Sequence, residues 1–217
     1  GEVANDKIII LEDTDGDGRA DKSTVFADGL YMPTGIELAN GGCFVAQTPD
    51  VFFLKDTDGD DVADVKELPL TGFGIEDSHH SVSAWRRGPG GWIYFQEGIF
   101  LHTQVETAHG MVHNYNGGVY QYNPRTRDLR IFASVGVGNP WGHVFTKWGQ
   151  SFFVDNPRVH YLSPATGNSG QRVRLNHLLS TEKQCGGDLA TGTHLPKNIR
   201  GQLLTCRFKS RAIIRYE

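Results

Sequence analysis

A chain of 217 residues is long enough for one sizeable core, and an all-β domain of this length need not be divided. Its 38% hydrophobic, 21% charged and 11% aromatic residues are those of a globular rather than a disordered protein. A net charge of -4 with no basic run argues against nucleic acid as a partner, and no stretch approaches the ~20 apolar residues of a membrane helix.

Short apolar runs alternate with turn residues along the whole chain: KIIILE (7–12), CFVAQ (43–47), VFFLK (51–55), WIYFQ (92–96), GVYQY (118–122), RIFASV (130–135), HVFTK (143–147), SFFVD (151–155), QLLTC (202–206) and RAIIRY (211–216). They are rich in β-branched and aromatic residues and flanked by Gly, Asn, Asp or Pro, which predicts strands. Only Leu175 to Lys183 carries a local helical spacing, through Leu175, Leu178 and Leu179. The fold class is all-β, and many short strands mean a sandwich, a barrel or a propeller. Glycine turns recur before strands at Gly41-Gly42, Gly90-Gly91, Gly117-Gly118 and Trp148-Gly149, as if each fed the inner strand of a repeated blade. That spacing predicts a single β-propeller domain over residues 1–217 with about four blades, fewer than most closed propellers carry, and so part of a longer protein.

One internal repeat is sharp. Asp13, Asp15, Asp17 and Asp21 recur as Asp56, Asp58, Asp60 and Asp64, at loop positions one, three, five and nine. Carboxylates at these positions converge when the loop curls, and the backbone carbonyl at position seven, Arg19 or Val62, adds an oxygen. Calcium is the cation expected to neutralise them. Position twelve is Thr24 in the first loop and Glu67 in the second; position six is Gly18 and Asp61, the latter requiring a left-handed backbone. Neither loop has the helices of an EF-hand, and both resemble the aspartate-rich loops of thrombospondin type 3 repeats. The alternative is an acidic solvated hairpin. Calcium at millimolar concentration fills even weak sites, which points to the periplasm or the cell exterior.

The stretch from Ile75 to Gly98 pairs His79 and His80 with Glu76 and Asp77 at a strand entry, ahead of the Gly88-Pro89-Gly90-Gly91 turn. Such imidazoles supply a general base or a metal ligand, or are loop histidines at a solvated strand end. His109 and His113 lie in a glycine-rich loop that could join the same opening, and His194 precedes a proline turn. Trp85, Trp92 and Trp148 read as blade packing, whereas Trp141 in its polar loop could stack on a sugar or a quinone. Cys43, Cys185 and Cys206 show no C-x-x-C pattern, so zinc, iron-sulfur and covalent haem sites are not encoded. One disulfide with one free thiol and three buried thiols both remain open. No signal peptide is visible.

The ordered set DTDGDGRADKSTVFADGL, GFGIEDSHHS, GPGGWIYFQEG, GNPWGHVF and THLPKNIRGQLLTCRF resembles the propeller of the planctomycete (PVC-type) membrane-bound dehydrogenase and haem-binding proteins. That propeller is similar to the glucose/sorbosone dehydrogenase fold, whose members bind pyrroloquinoline quinone. The resemblance implies His80 as the general base, eight residues before the Gly88 turn, with His79 as the extra imidazole. It also implies a cofactor mouth at Asn139, Pro140, Trp141 and Gly142; Asp155 and Asn156, which end the strand after that loop, could line the same mouth. Gly138 stands where that family carries a cofactor-facing arginine, and Gly90 replaces the turn aspartate. The function implied is a dehydrogenase-like propeller of the sugar-oxidising quinoprotein type; a further reading is a module of a larger complex with a c-type cytochrome module or partner. The alternative is a non-catalytic calcium-stabilised propeller that binds a glycan or a protein.

Overall fold

A computed structural model describes residues 5–162, 172–175, 178 and 180–216. β1 (Asp6–Glu12) and β2 (Lys22–Leu30) form a two-stranded sheet. β3 (Gly35–Ala39), β4 (Gly42–Gln47), β5 (Asp50–Lys55) and β6 (Val65–Thr71) form the first four-stranded blade. The second blade is built from β7 (Ser83–Arg87), β8 (Ile93–Glu97), β11 (Gly118–Asn123) and β12 (Asp128–Ala133); an inserted hairpin, β9 (His102–Thr107) with β10 (Gly110–Tyr115), interrupts it. β13 (Pro140–Phe145), β14 (Ser151–Asp155), β15 (Arg158–Leu162) and β16 (Arg172–Arg174) make the third, and β17 (Gln184–Leu189), β18 (Leu203–Arg207) and β19 (Ala212–Tyr216) a three-stranded fourth. All these pairings are antiparallel, the pattern of propeller blades. Among the described residues, no strand pairing joins the first sheet to the last.

The first strands of successive blades, β3, β7, β13 and β17, face one another in that order and line the ring's inside. The glycine turns therefore feed the second strand of a blade, not the inner one. Gly41, Gly91 and Gly149 take φ of 76°, 77° and 77°, which a tight reversal after the inner strand requires. Gly117-Gly118 instead opens the third strand of the second blade, after the inserted β9–β10 hairpin, so it marks no blade of its own. The short helix predicted over Leu175–Lys183 lies partly outside the described residues; within them Leu178 N–H bonds to Leu175 C=O at 2.9 Å.

Buried apolar clusters sit between neighbouring sheets. Phe44, Val51 and Leu70 of the first blade pack against Phe95, Tyr120 and Tyr122 of the second. Tyr94 and Val119 of the second blade meet Phe153 and Leu162 of the third, and Val144, Val154 and Val159 meet Leu203 of the fourth. The β1–β2 sheet closes on the first blade through Leu30, Val45 and Leu54. Each large side chain removed from water contributes about 1.5–3 kcal/mol, so these interfaces fix the ring geometry on which the mouth depends. The third and fourth blades approach through glycine: a Cβ at Gly142 would stand 2.9 Å from Gly187 N. Backbone cannot yield as a side chain does, so Gly142→Ala is expected to destabilise by about 1–3 kcal/mol in denaturant unfolding. Unchanged stability would show that the two inner strands separate freely.

Candidate functional site

The N-terminal ends of the inner strands β7, β13 and β17 come together at one end of the ring. A single 3-10 turn, Ser78–His80, precedes β7; the Asp77 carboxylate accepts from His79 N–H at 2.9 Å and fixes its start. This turn separates the two imidazoles. His79 points to solvent, whereas His80 is 6% exposed and stacks on Phe100 with ring centroids 5.4 Å apart. Gly98 lies against the His80 ring, where a Cβ would come within 2.7 Å of it.

His80 is held at both nitrogens. Nδ1 lies 2.6 Å from the Ile99 carbonyl, which only accepts, so Nδ1 carries the proton and Nε2 the lone pair. The Asn139 amide then donates to Nε2 at 3.0 Å, and its oxygen accepts from Lys183 Nζ at 3.4 Å. Behind Asn139, its N–H donates to Asp155 Oδ1 at 3.0 Å, and the Asn156 amide donates to the same oxygen at 3.1 Å. Buried His160 stands 3.7 Å from Asp155 Oδ2. The structure thus places His80, Asn139, Asp155 and Asn156 together at the mouth, beside Lys183 and His160, which the local motifs do not mark.

Other predicted residues fall elsewhere. Pro140 is buried at the start of β13, and Gly142 serves the blade contact. Trp141 packs among Val144, Val154 and Leu203 because it is a strand residue, not a loop residue. Trp148, read as blade packing, is 78% exposed beside Lys147. His109 and His113 lie on the β9–β10 hairpin, whose edge packs against β6 and β12, away from the mouth. His109 Nε2 there meets the Thr126 carbonyl at 2.9 Å.

The mouth does not fit a tricarboxylated quinone, which calls for guanidinium partners. A Cβ at position 138 would stand 2.4 Å from Asn156 Nδ2 and 3.1 Å from Asp155 Oδ1, so these two side chains occupy the space that a residue larger than glycine would need. Arg86, on the inner strand β7, is committed to the His143 and Gly187 carbonyls and to Asp188. A buried carboxyl, Glu97, ends β8, bonded to Thr103 and Tyr120; burial pushes its pKa up, against those donors. It fastens the β9 hairpin to the second blade.

The two acidic loops are the β1–β2 and β5–β6 turns and have nearly the same internal bonding. The Asp13 carboxylate accepts the N–H groups of Gly16, Asp17 and Gly18, and Asp56 those of Asp58, Gly59 and Asp61. Thr14 caps Asp21, and Thr57 caps Asp64. Asp61 has φ of 67° where Gly18 has 87°, the left-handed turn expected at position six. Oxygens of Asp13, Asp15 and Asp21, and likewise of Asp56, Asp58 and Asp64, lie within 4.8 Å of one another. Asp17 and Asp60 face the N–H groups of Arg19 and Val62, both at 2.8 Å. Glu67 leaves its loop for β6 and pairs with Arg127 at 3.1 Å. Backbone donors, Gly18 first for Asp13 and Gly59 first for Asp56, hold those carboxyls below their ordinary pKa; the Thr14 hydroxyl does the same for Asp21. The donor set suits a hard divalent cation with oxygen ligands.

Residues 1–184 match a domain of unknown function, DUF7133, and the chain belongs to that family. No curated protein matches the sequence. Among solved structures, a luciferin-regenerating enzyme is 12% identical with a TM-score of 0.62, over 90% of this chain and 62% of its own. Regucalcin of Agrobacterium tumefaciens, described as a calcium-binding protein, is 15% identical with a TM-score of 0.58, over 90% of this chain and 60% of its own. These likenesses establish the β-propeller fold, and the chain spans about three fifths of the length of those proteins.

Proposed function

We propose that this member of the DUF7133 family is a calcium-stapled propeller segment whose mouth binds a polyhydroxylated ligand of the sugar or sugar-lactone class. The observation that carries this reading is the relay from the Ile99 carbonyl through His80 and Asn139 to Lys183. It offers alternating acceptors and donors at a strand-end rim, which suits vicinal hydroxyls. The calcium half rests on the paired aspartate loops and gains support from regucalcin, a calcium-binding protein of similar fold. Residence outside the cytoplasm follows from the same loops, where millimolar calcium fills them.

A second reading, a dehydrogenase-like oxidation with His80 as base, is favoured by the tautomer. With Nδ1–H pinned on Ile99, the Nε2 lone pair aims at Asn139 and the mouth. Asn139 occupies that lone pair, which ranks binding ahead of catalysis.

Calorimetric titration of aldoses and aldonolactones into calcium-loaded protein tests both. Saturable binding is expected, weakened about 5- to 150-fold by Asn139→Ala and His80→Ala, since each removes a buried-site hydrogen bond of ~1–3 kcal/mol. Asn139→Ala is the cleaner variant because its partly exposed side chain bears less of the core than His80 does. No binding by any of these ligands to folded protein would refute the reading. Dye reduction that is lost with His80→Ala would promote the second.

A further inference from the structure

We propose that Cys185 and Cys206 form a disulfide site across strands β17 and β18, with Cys43 the thiol left over. The strand register places Cys185 directly opposite Cys206. Residues opposed in an antiparallel pair have Cα atoms about 4.5–5.5 Å apart and project to the same face, within the ~4.4–6.8 Å that a disulfide spans. The Cys185 thiol already reaches over the partner strand, with Sγ 3.7 Å from the Cys206 carbonyl oxygen.

Cys43 has neither access nor a partner. It is buried in the first blade opposite Leu38 and Leu54, and burial pushes its thiol up to about 11. Cys206 is exposed and Cys185 partly so, which gives an order of events. The Cys206 thiolate attacks a low-molecular-weight disulfide such as oxidised glutathione, and one glutathione thiolate leaves. The Cys185 thiolate then attacks the Cys206 sulfur of that mixed disulfide and the second glutathione leaves. Two S–H bonds are lost, one S–S bond forms inside the protein, and the glutathione disulfide takes up the two electrons. Burial, and secondarily the neighbouring Cys206 thiol, raise the Cys185 pKa, so the closing step quickens as pH rises.

The bridge would lock the β17–β18 pair next to a bulge, where Gly186 at φ 71° interrupts the register. The strand carrying it begins at Gln184, immediately after the mouth lysine.

The test is to equilibrate the reduced chain with excess oxidised glutathione, quench in acid, unfold, alkylate with N-ethylmaleimide and measure the intact mass. One alkyl group on Cys43, a loss of two hydrogens and a Cys185–Cys206 linked peptide are expected. Cys185→Ser should stop at a single glutathione adduct on Cys206. Alkylation of all three thiols after oxidation, a bridge that includes Cys43, or a bridge between two chains would each overturn the assignment.

Discussion

Removing calcium is expected to lower the thermal midpoint of this protein by about 5–10 °C for each of the two loops that holds it, relative to calcium held near a hundredfold above its dissociation constant. A ligand at that excess that binds only the folded state contributes about 2.7 kcal/mol, and a chain of this size shifts by ~2–4 °C per kcal/mol. The loops give the effect a structural route. Asp13, Asp15 and Asp21 cap the β1–β2 hairpin, which rests on the first blade through Leu30, Val45 and Leu54. Asp56, Asp58 and Asp64 cap the outer hairpin of that blade. Ala63 N–H of the second loop bonds to Phe26 C=O of β2 at 2.8 Å, and Lys22 stands 3.8 Å from Asp61. The two loops are therefore neighbours, and stiffening one supports the other. Asp13→Asn should remove part of the calcium response, and Asp13→Asn with Asp56→Asn all of it. An identical midpoint in calcium and in chelator would rule out a structural metal. Magnesium should substitute poorly, since it favours octahedral sites that keep several waters.

The acidic loops were legible in the sequence because their whole logic is local. Nine residues contain the spacing, the caps Thr14 and Thr57, and the left-handed position that Asp61 fills. The strand runs were legible for the same reason, and they define the all-β class. Blade boundaries were not, because an inner strand is defined by the neighbouring blade it faces rather than by its own residues. The turn at Gly117 looks like that at Gly41, yet it opens the third strand of a blade, set apart from the second by the inserted β9–β10 hairpin. The tryptophans show the limit most directly. Trp141 follows a polar loop and Trp148 follows an apolar run, but β13 begins at Pro140, so Trp141 packs inward while Trp148 caps an exposed turn. At the mouth, His80 and Asn139 were marked by local motifs. Lys183 was not: it reaches Asn139 from 44 positions away, and no local pattern encodes that meeting.

Acid is expected to weaken the fold well before the exposed carboxylates titrate, through His143. Its ring is 2% exposed, enclosed by Tyr94, Phe132 and Phe145, and Nε2 lies 2.7 Å from Ser151 Oγ. Nδ1 is buried without a protein partner, so the proton belongs on Nε2, where it is donated to Ser151 and no N–H is orphaned. Burial first, and then the charge of Arg86, lower its pKa from 6.5 to about 3. The folded-state value is the depressed one, so the stabilisation is complete above pH 6.5 and is lost as pH falls from there toward 3. In that window the unfolded chain binds one more proton at this position, and unfolding free energy should drop by about 1.4 kcal/mol per pH unit. The buried Glu97 and the half-buried Glu37 act in the opposite sense. Desolvation raises the pKa of Glu97 and Glu37, so the folded state takes their protons earlier and gains relative stability on acidification. The total profile mixes these contributions, and the difference between two chains separates them. His143→Phe keeps the aromatic enclosure and abolishes the titration; losing the Ser151 partner shifts its stability by an amount independent of pH. Urea unfolding at half-unit steps from pH 7 to 4.5 should therefore show the wild-type curve falling toward the variant's as acid is added. Parallel curves would mean that His143 is protonated in the folded protein or solvated in a way its enclosure does not allow. Convergence would identify this histidine, between the second and third blades, as the group that sets the acid limit of the ring.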